Sequence, residues 1–173
     1  MKTKYFDLID QTYEFPQEEF DLNNNSLSFN GVDLMELIEQ YGTPLKFTYL
    51  PKISDNIQRA KKWFSDAFEQ HNYSGNYYYS YCTKSSHFSP VLNEALKNDI
   101  HIETSSAFDI NIVENLKKQG KISDDTYVLC NGFKRDRYIQ NITNLINGGH
   151  KRCIPIIDNF EELNLLEQGI DGD

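Results

Sequence analysis

The chain is organised around the stretch Tyr77-Tyr-Tyr-Ser-Tyr-Cys-Thr-Lys84-Ser-Ser86. Aromatic residues favour β-strands, so the first half of this stretch is typical of a strand that ends at Lys84. In a parallel α/β sheet, ligands bind at the carboxyl ends of the strands, and an amine that is removed from water there becomes a nucleophile. The alternative is that the strand simply ends at a charged lysine exposed to solvent. The surrounding sequence has to distinguish a functional Lys84 from such a solvated one.

Strand and helix patterns alternate on both sides of this stretch. An amphipathic helix is predicted over residues 52–69, because apolar residues recur there at helical spacing. Strands are predicted over 77–82, 100–103, 127–131 and 154–157, each followed by a helix, the last of which is capped by Asp158. The unit repeats roughly every 25 residues, which indicates an α/β fold with parallel strands and right-handed crossovers. The pattern fits an open doubly wound sheet or four units of an eight-unit barrel.

The first part of the chain differs in texture from the rest. An extended arm with turns is predicted around Phe15-Pro16 and the Asn23-Asn-Asn25 run, followed by a short strand over 27–30. A short helix over 33–41, stopped by Gly42 and Pro44, then precedes a strand over 45–50. The chain stops at Asp173 directly after the last predicted helix, and we interpret it as a fragment of a longer protein.

Composition excludes several classes of function. Seventeen basic and 26 acidic residues give a net charge of −9, which argues against nucleic acid as a partner, since such binding needs Lys and Arg at the phosphates. The 3 cysteines are far apart and form no CxxC pair, which argues against a zinc site or a disulfide framework. No stretch is typical of a signal peptide or a membrane span. We therefore expect a soluble, cytoplasmic protein with a packed core.

Polar side chains follow every strand of the predicted sheet. They are Lys84-Ser85-Ser86, Glu103-Thr104-Ser105-Ser106, Asn131-Gly132 and Asp158-Asn159. Because parallel strands end at one rim, we expect these side chains to lie close together. Ser106 and Asp158 also fit simple helix caps. Glu103 belongs to the strand end itself, where its carboxylate would hold the amine of Lys84 charged or orient a cationic group. Gly132 would let the backbone approach a flat ligand.

The other residues that could carry chemistry favour structural roles. None of the histidines has a partner at metal-ligand spacing, so we predict no metal site and expect exposed structural histidines at positions 71, 87, 101 and 150. The sequence contains neither a Gly-x-Ser-x-Gly nucleophile motif nor a glycine-rich phosphate loop. The tyrosines over 77–81 are predicted to pack in the core rather than to stack on bases, since the acidic chain lacks the charge for a nucleic-acid partner.

Four short motifs occur in the order and spacing of a known enzyme family. They are Tyr41-Gly-Thr-Pro-Leu45, Tyr81-Cys-Thr-Lys84-Ser-Ser86, Glu103-Thr-Ser-Ser-Ala-Phe-Asp109 and Cys130-Asn-Gly-Phe-Lys134. Over roughly residues 26–168 the chain resembles the fold-type III pyridoxal-phosphate decarboxylases. The last two motifs, together with Ile157-Asp-Asn-Phe-Glu-Glu-Leu163, are most similar to the biosynthetic arginine decarboxylases.

The resemblance implies a fold and a set of site residues. Residues 50–173 would form the first half of an alanine-racemase-like (β/α)8 TIM-type barrel, about four βα units, and residues 1–49 would be an N-terminal arm and strands of a β domain. Lys84 would form the internal aldimine with pyridoxal 5′-phosphate. Glu103, Ser106, Asp109 and Asn131 would belong to the cofactor site. The family more often has Asp at position 103 and Glu at position 109, so the charges are kept while the reach of each side chain differs.

The implied activity is decarboxylation of arginine to agmatine in polyamine biosynthesis, by an intact enzyme that is at least a dimer. The alternatives are a decarboxylase of diaminopimelate or another diamino acid, and a non-catalytic barrel relative that keeps Lys84 as a vestige. A further alternative, from pattern alone, is a sugar-processing barrel with Glu103 and Asp158 as paired carboxylates. The family's phosphate loop, ring-stacking histidine and partner-subunit residues would lie beyond Asp173. We therefore expect this chain alone to bind the cofactor poorly and to be inactive.

Overall fold

Residues 19–23 and 26–172 are described by a computed structural model, in which the chain divides into two units, Met1–Thr48 and Tyr49–Asp173. The predicted arm around Phe15-Pro16 and most of the polar run after it lie outside the described residues.

The first unit contains, in its described residues, an antiparallel sheet and a helix. These elements are β1 (Phe20–Asn23), β2 (Ser26–Phe29), β3 (Val32–Asp33) and α1 (Leu34–Tyr41). Phe20 lies opposite Phe29, and their rings meet edge to face with centroids 4.8 Å apart, a typical cross-strand pair. Helix α1 begins after Asp33, whose carboxylate accepts hydrogen bonds from the N–H groups of Met35 and Glu36. The predicted short strand and short helix are confirmed.

The strand predicted over residues 45–50 is wrong. The backbone there is irregular, and these residues pair with no strand in the described part of the chain. Phe47 is exposed and meets the ring of Phe29 edge to face, with centroids 5.8 Å apart. Alternation of apolar and polar residues favours a strand only where a neighbouring strand completes the hydrogen bonds, and that condition is not visible in a local pattern.

The second unit contains four parallel strands in the order β4-β5-β6-β7. The strands are β4 (Ser80–Cys82), β5 (His101–Thr104), β6 (Val128–Cys130) and β7 (Cys153–Pro155). The helices are α2 (Pro51–Gln70), α3 (Ser89–Leu96), α4 (Ala107–Lys118), α5 (Asp136–Asn147) and α6 (Phe160–Gly169). The predicted α/β fold with parallel strands is confirmed, and three of its four strands are shorter than predicted. None of the helices in the described part of the chain has the length and apolar character needed to cross a membrane.

One face of the parallel sheet packs against the helices. Ile102 lies opposite Val128, and Val128 lies opposite Cys153, so these three side chains share a face and a buried cluster. Helices α4, α5 and α6 add the buried side chains Ile110, Val113, Leu116, Tyr138, Ile139, Ile142, Leu145 and Leu166. Burial of this apolar surface is the main term that stabilises the unit.

A second buried cluster lies where α2 and α3 meet β4. It contains Ile57, Ala95 and Ile100, with Tyr79 and Tyr81 among the side chains packed against it. Tyr78, which directly precedes Tyr79, is 52% exposed. The predicted core packing of the tyrosines therefore applies to alternate residues only, because successive side chains of an extended chain point to opposite faces.

The opposite face of the sheet carries the polar residues of the strand ends. Cys82 lies opposite Glu103, and Glu103 lies opposite Leu129. Leu129 in turn lies opposite Ile154, which is 41% exposed. Alternation along each strand places these side chains on the face away from the buried cluster. The carboxyl edge of this face holds the candidate site.

Helix α6 is capped by Asn159, so the predicted cap at Asp158 is wrong. The side-chain oxygen of Asn159 accepts a hydrogen bond from the N–H of Glu162 at 2.9 Å, which satisfies one free donor of the first turn. The N–H of Asp158 donates to the carboxylate of Glu162 at 3.1 Å. Both adjacent residues are of capping type, and the choice between them depends on where the loop turns.

Candidate active site

A cleft of about 720 Å³ opens at the carboxyl ends of β4, β5 and β6. Its lining includes all five residues singled out as a cofactor site: Lys84, Glu103, Ser106, Asp109 and Asn131. Cys82, His87, Ser105, Gly132 and Phe133 complete the lining. Asp158 is not one of the described residues that line the cleft, which disfavours its pairing with Glu103 in a sugar-processing site.

Lys84 is presented to the cleft by a tight turn at the end of β4. Thr83 is fully buried and anchors the turn, because its N–H and its hydroxyl both donate to the carbonyl of Glu103, at 2.9 and 3.1 Å. The hydroxyl of Ser85 closes the turn by donating to the carbonyl of Cys82 at 2.8 Å. The side chain of Lys84 is exposed and forms no hydrogen bond or ion pair with the described residues. The expectation of a desolvated lysine is therefore not met in this structure.

Glu103 is held by Asn131 rather than by Lys84. Its carboxylate accepts a hydrogen bond from the side-chain amide of Asn131 at 3.1 Å. The amide oxygen of Asn131 accepts from the N–H of Gly132 at 2.8 Å, which fixes the orientation of the amide group. Lys84 and Glu103 line the same cleft without an ion pair, so Glu103 does not hold the Lys84 amine in this structure. The alternative, that Glu103 orients a cationic group, stays a prediction.

Ser106 and Asp109 share the first turn of α4. Ser106 occupies the N-cap position with extended backbone, but its hydroxyl makes no capping hydrogen bond. Asp109 is 8% exposed, and its carboxylate accepts from the N–H of Ser105 at 2.8 Å. Asp109 therefore shapes the loop that follows β5, while Ser106 lines the cleft and its hydroxyl has no capping role. The helix cap predicted at Ser106 is therefore not made by its side chain.

Gly132 brings the loops after β5 and β6 into contact. Its φ angle is +81°, a backbone conformation that favours glycine. A Cβ atom at this position would lie 3.0 Å from the carbonyl oxygen of Ser105. A larger residue at this position would collide with the loop after β5, so the contact with Ser105 requires glycine. The residues next to Gly132 in the sequence do not indicate this contact. The predicted approach of a flat ligand at Gly132 stays a prediction.

Comparison with known proteins identifies one group of relatives. No family model matches the sequence. Curated biosynthetic arginine decarboxylases from Bacteroides thetaiotaomicron and Phocaeicola vulgatus are 26% and 25% identical to it over 145 residues, 78% of this chain. The chain resembles biosynthetic arginine decarboxylases. The resemblance predicted from the sequence motifs is thereby confirmed.

A solved arginine decarboxylase agrees with the fold. The crystal structure of the biosynthetic arginine decarboxylase SpeA from Campylobacter jejuni matches 97% of this chain with a TM-score of 0.65 and 17% sequence identity. The chain spans 28% of that solved chain and 22% of the length of the two curated relatives. The structural match therefore concerns the fold of a part of those proteins.

Two motifs that resemble the arginine decarboxylases meet in a buried ion pair. Lys134 ends the Cys130–Lys134 motif, and Glu162 belongs to the Ile157–Leu163 motif. The ammonium group of Lys134 lies 3.2 Å from the carboxylate of Glu162, and both side chains are almost completely buried. The same ammonium donates to the carbonyls of Gly132 and Ile156. The pair thus joins the loops after β6 and β7, a role that the motifs alone did not indicate.

Backbone hydrogen bonds keep Glu162 charged in this buried position. Burial by itself raises the pKa of the carboxyl group. The N–H groups of Lys134 and Asp158, together with the Lys134 ammonium, outweigh that effect and lower the pKa of Glu162 below its usual value. A charged carboxylate with several donors is the arrangement in which a buried ion pair is well satisfied.

Two of the four histidines depart from the predicted exposed, structural role. His150 is fully buried, and its Nε2 lies 2.9 Å from the carbonyl of Thr126, at the amino ends of the strands and away from the cleft. His101 is half-buried, accepts from the N–H of Tyr127 at 3.0 Å, and burial lowers its pKa. His87 is exposed and lines the cleft. In the described part of the chain, no group of three His, Cys, Asp or Glu side chains could hold a metal ion.

Proposed function

We propose that this chain is part of a pyridoxal-phosphate-dependent decarboxylase that acts on a basic amino acid, most specifically arginine, with agmatine for polyamine biosynthesis as the product. The observation that carries the proposal is the position of Lys84, an exposed lysine without a partner among the described residues, in the cleft at the carboxyl edge of the sheet. The curated relatives named biosynthetic arginine decarboxylases support the choice of arginine.

The residues of the cleft fit pyridoxal phosphate. An aldehyde cofactor needs a primary amine that is accessible and not committed to an ion pair, and Lys84 meets both conditions. The hydroxyl of Ser106 makes no capping bond and is open to a ligand. When bound, the cofactor supplies an electron sink for the carbanion that is left when carbon dioxide departs.

The other cleft residues would bind and orient the substrate and the cofactor. The carboxylate of Glu103, held by Asn131 at 3.1 Å, supplies a fixed negative charge that favours a cationic group in the cleft. Asp109 holds the backbone of Ser105 and so keeps the loop after β5 in place beside that charge. Lys84 supplies the amine to which the cofactor would attach.

We further propose that residues 50–173 are the first half of a (β/α)8 barrel and that residues 1–49 belong to a β domain. Two features of the second unit support a barrel over a doubly wound sheet. Its strands follow one another in chain order without the reversal that marks a doubly wound sheet, and both buried clusters lie on one face. The intact protein would be cytoplasmic and at least a dimer.

Reductive labelling tests the cofactor proposal. The longest form of the protein that is encoded is treated with pyridoxal phosphate and borohydride and then digested, and the modified peptides are quantified by mass spectrometry. Lys84 should be modified in preference to the other lysines, and Lys84→Arg should abolish that peptide signal. Lys118→Arg, a change at an exposed lysine of α4, serves as the matched control and should leave the pattern unchanged. Uniform modification of surface lysines would contradict the proposal.

Product analysis then separates the substrates. Arginine and diaminopimelate are offered to the longest form of the protein that is encoded, and carbon dioxide release and the amine product are measured. Agmatine from arginine supports the proposal, and product from diaminopimelate alone supports the diamino-acid alternative. Specific labelling of Lys84 without any product supports the non-catalytic barrel relative.

A further inference from the structure

Tyr138 of α5 links the buried core to the rim of the cleft through its hydroxyl group. Its ring is 3% exposed and lies in the buried cluster behind the sheet. The hydroxyl donates to the backbone carbonyl of Asn131 at 3.1 Å and lies 2.8 Å from the hydroxyl oxygen of Thr104. Thr104 ends β5, and Asn131 directly follows β6. One hydroxyl group therefore joins the carboxyl ends of two neighbouring strands.

The hydroxyl groups of Tyr138 and Thr104 have one hydrogen each, and between them they make three contacts: with each other, with the carbonyl of Asn131 and with the carbonyl of Leu129. Because Tyr138 donates to Asn131, its oxygen accepts from Thr104. The Thr104 hydroxyl also lies 3.3 Å from the carbonyl of Leu129, to which its hydrogen can turn. Burial raises the pKa of Tyr138, which keeps its hydroxyl protonated and therefore a donor. If the Tyr138 oxygen is removed, the Thr104 hydroxyl can still donate to the carbonyl of Leu129. The backbone carbonyl of Asn131, in contrast, loses the hydrogen bond that Tyr138 donates.

Asn131 connects the hydroxyl of Tyr138 to the carboxylate of Glu103. Its amide oxygen is held by the N–H of Gly132 at 2.8 Å, and its amide nitrogen donates to Glu103 at 3.1 Å. We propose that Tyr138 is a positioning residue of the cleft: its hydroxyl fixes Asn131, and Asn131 fixes the carboxylate of Glu103. The meaning of this for catalysis rests on the proposed function, whereas the geometry itself does not depend on a cofactor.

The side-chain amide signal of Asn131 in a ¹⁵N NMR spectrum of the full chain tests the proposal without pyridoxal phosphate. The signal is assigned by its loss in Asn131→Asp, and Glu103→Ala gives its position when the Glu103 bond is absent. Tyr138→Phe should move the signal towards that position. It should also speed exchange of the amide hydrogens with water about fivefold, the factor that one hydrogen bond contributes. In the Glu103→Ala background, Tyr138→Phe should cause no further shift.

Three comparisons separate positioning from a general loss of structure. Tyr79→Phe removes a hydroxyl that has no hydrogen bond to the described residues from a ring packed on the neighbouring cluster, and it should leave the Asn131 signal unchanged. Thr104→Val keeps the bond between Tyr138 and Asn131 and should also leave the signal near its original position. Backbone signals of the core report folding of every variant.

Some outcomes would overturn the proposal. An unchanged Asn131 signal in a folded Tyr138→Phe variant would do so, and so would an equal shift in the Glu103→Ala background or in Thr104→Val. Failure of Lys84 labelling would remove the proposed function but would not alter this measurement, so the two failures are distinguishable.

Discussion

Gly132 illustrates how a single missing side chain shapes the cleft. Its positive φ angle and the 3.0 Å approach of the Ser105 carbonyl to its missing Cβ are separate constraints on the same residue. The first concerns the residue's own backbone, and the second concerns the loop after β5. Because Asp109 holds the N–H of Ser105, any displacement of that loop would also disturb a buried carboxylate.

Gly132→Ala should therefore destabilise the chain more than alanine at another left-handed glycine. The positive φ alone costs about 1–2 kcal/mol for a residue with a Cβ. Overlap with Ser105 adds about 1–3 kcal/mol of packing strain. Gly120→Ala is the matched control, because Gly120 has φ +66° and no atom within 4 Å of its missing Cβ. Urea denaturation measures both, and equal losses would mean that the contact with Ser105 is unimportant.

The residues at the strand ends were predictable, whereas their contacts were not. Glu103 lies near the end of β5, and Lys84 and Asn131 follow β4 and β6 within two residues. Because parallel strands end at one rim, the sequence pattern placed these three residues together. The partner of Glu103 depends on side-chain reach across two loops, which a linear pattern does not contain. For that reason Asn131, and not Lys84, holds this carboxylate.

At the scale of secondary-structure elements, the ion pair of Lys134 and Glu162 is the main tie between the loops after β6 and β7. Each partner also bonds backbone groups of the other loop: Lys134 reaches the carbonyl of Ile156, and Glu162 accepts from the N–H of Lys134 at 3.0 Å. Removal of Lys134 would leave the buried carboxylate of Glu162 without a cation, the costly case for a buried pair. Removal of Glu162 would leave the buried ammonium with the carboxylate of Asp158, 4.0 Å away, as its remaining ion-pair partner among the described residues.

Lys134→Met should cost about 3–5 kcal/mol of unfolding free energy, because it isolates the buried carboxylate of Glu162. Lys62→Met is the matched control, since Lys62 pairs with Asp66 at 2.8 Å on the exposed surface. Its loss should be within about 1 kcal/mol. The double variant Lys134→Met/Glu162→Leu should recover part of the stability, and not all, since Glu162 also accepts two backbone hydrogen bonds. Chemical denaturation curves of these variants check the prediction, and a loss at Lys134 no larger than at Lys62 would refute it.

Element positions were predicted better than element ends. The periodicity of apolar residues located all five helices of the second unit's described residues, because each buries one face against the sheet. The strand predicted over 45–50 failed for lack of a neighbour, and the cap of α6 shifted by one residue to Asn159. The first error concerns a segment outside the local pattern, and the second concerns where the loop before α6 turns.

At the scale of the whole molecule, the second unit is asymmetric. One face of its sheet is covered by helices, and the other carries Ile154, which is 41% exposed, in line with Leu129 and Glu103. In the described residues, β4 and β7 are also edge strands. Exposed apolar surface and unpaired edges favour association between chains.

The 173-residue chain should therefore self-associate in a concentration-dependent way, and Ile154→Lys should weaken that association. A charge on the exposed face opposes contact between two such faces and removes no buried side chain. Leu163→Lys is the matched control, because Leu163 is 37% exposed on helix α6. Sedimentation velocity over a range of concentrations gives the answer, and an equal effect of both substitutions would argue against the sheet face as the contact surface.

Strand order in the second unit has a consequence for how the chain acquires its structure. Each parallel strand pairs with the strand before it, and even the contact between Glu103 and Asn131 joins residues only 28 positions apart. Pairing between consecutive strands lowers the entropic cost of loop closure relative to pairing between strands that are far apart in the chain. The sheet can therefore grow strand by strand in the order of synthesis, since nascent chains fold from the amino end. The strands that carry the cleft residues therefore form early in that order. The ion pair between Lys134 and Glu162 forms last, because Glu162 belongs to α6 and must first leave the ribosome.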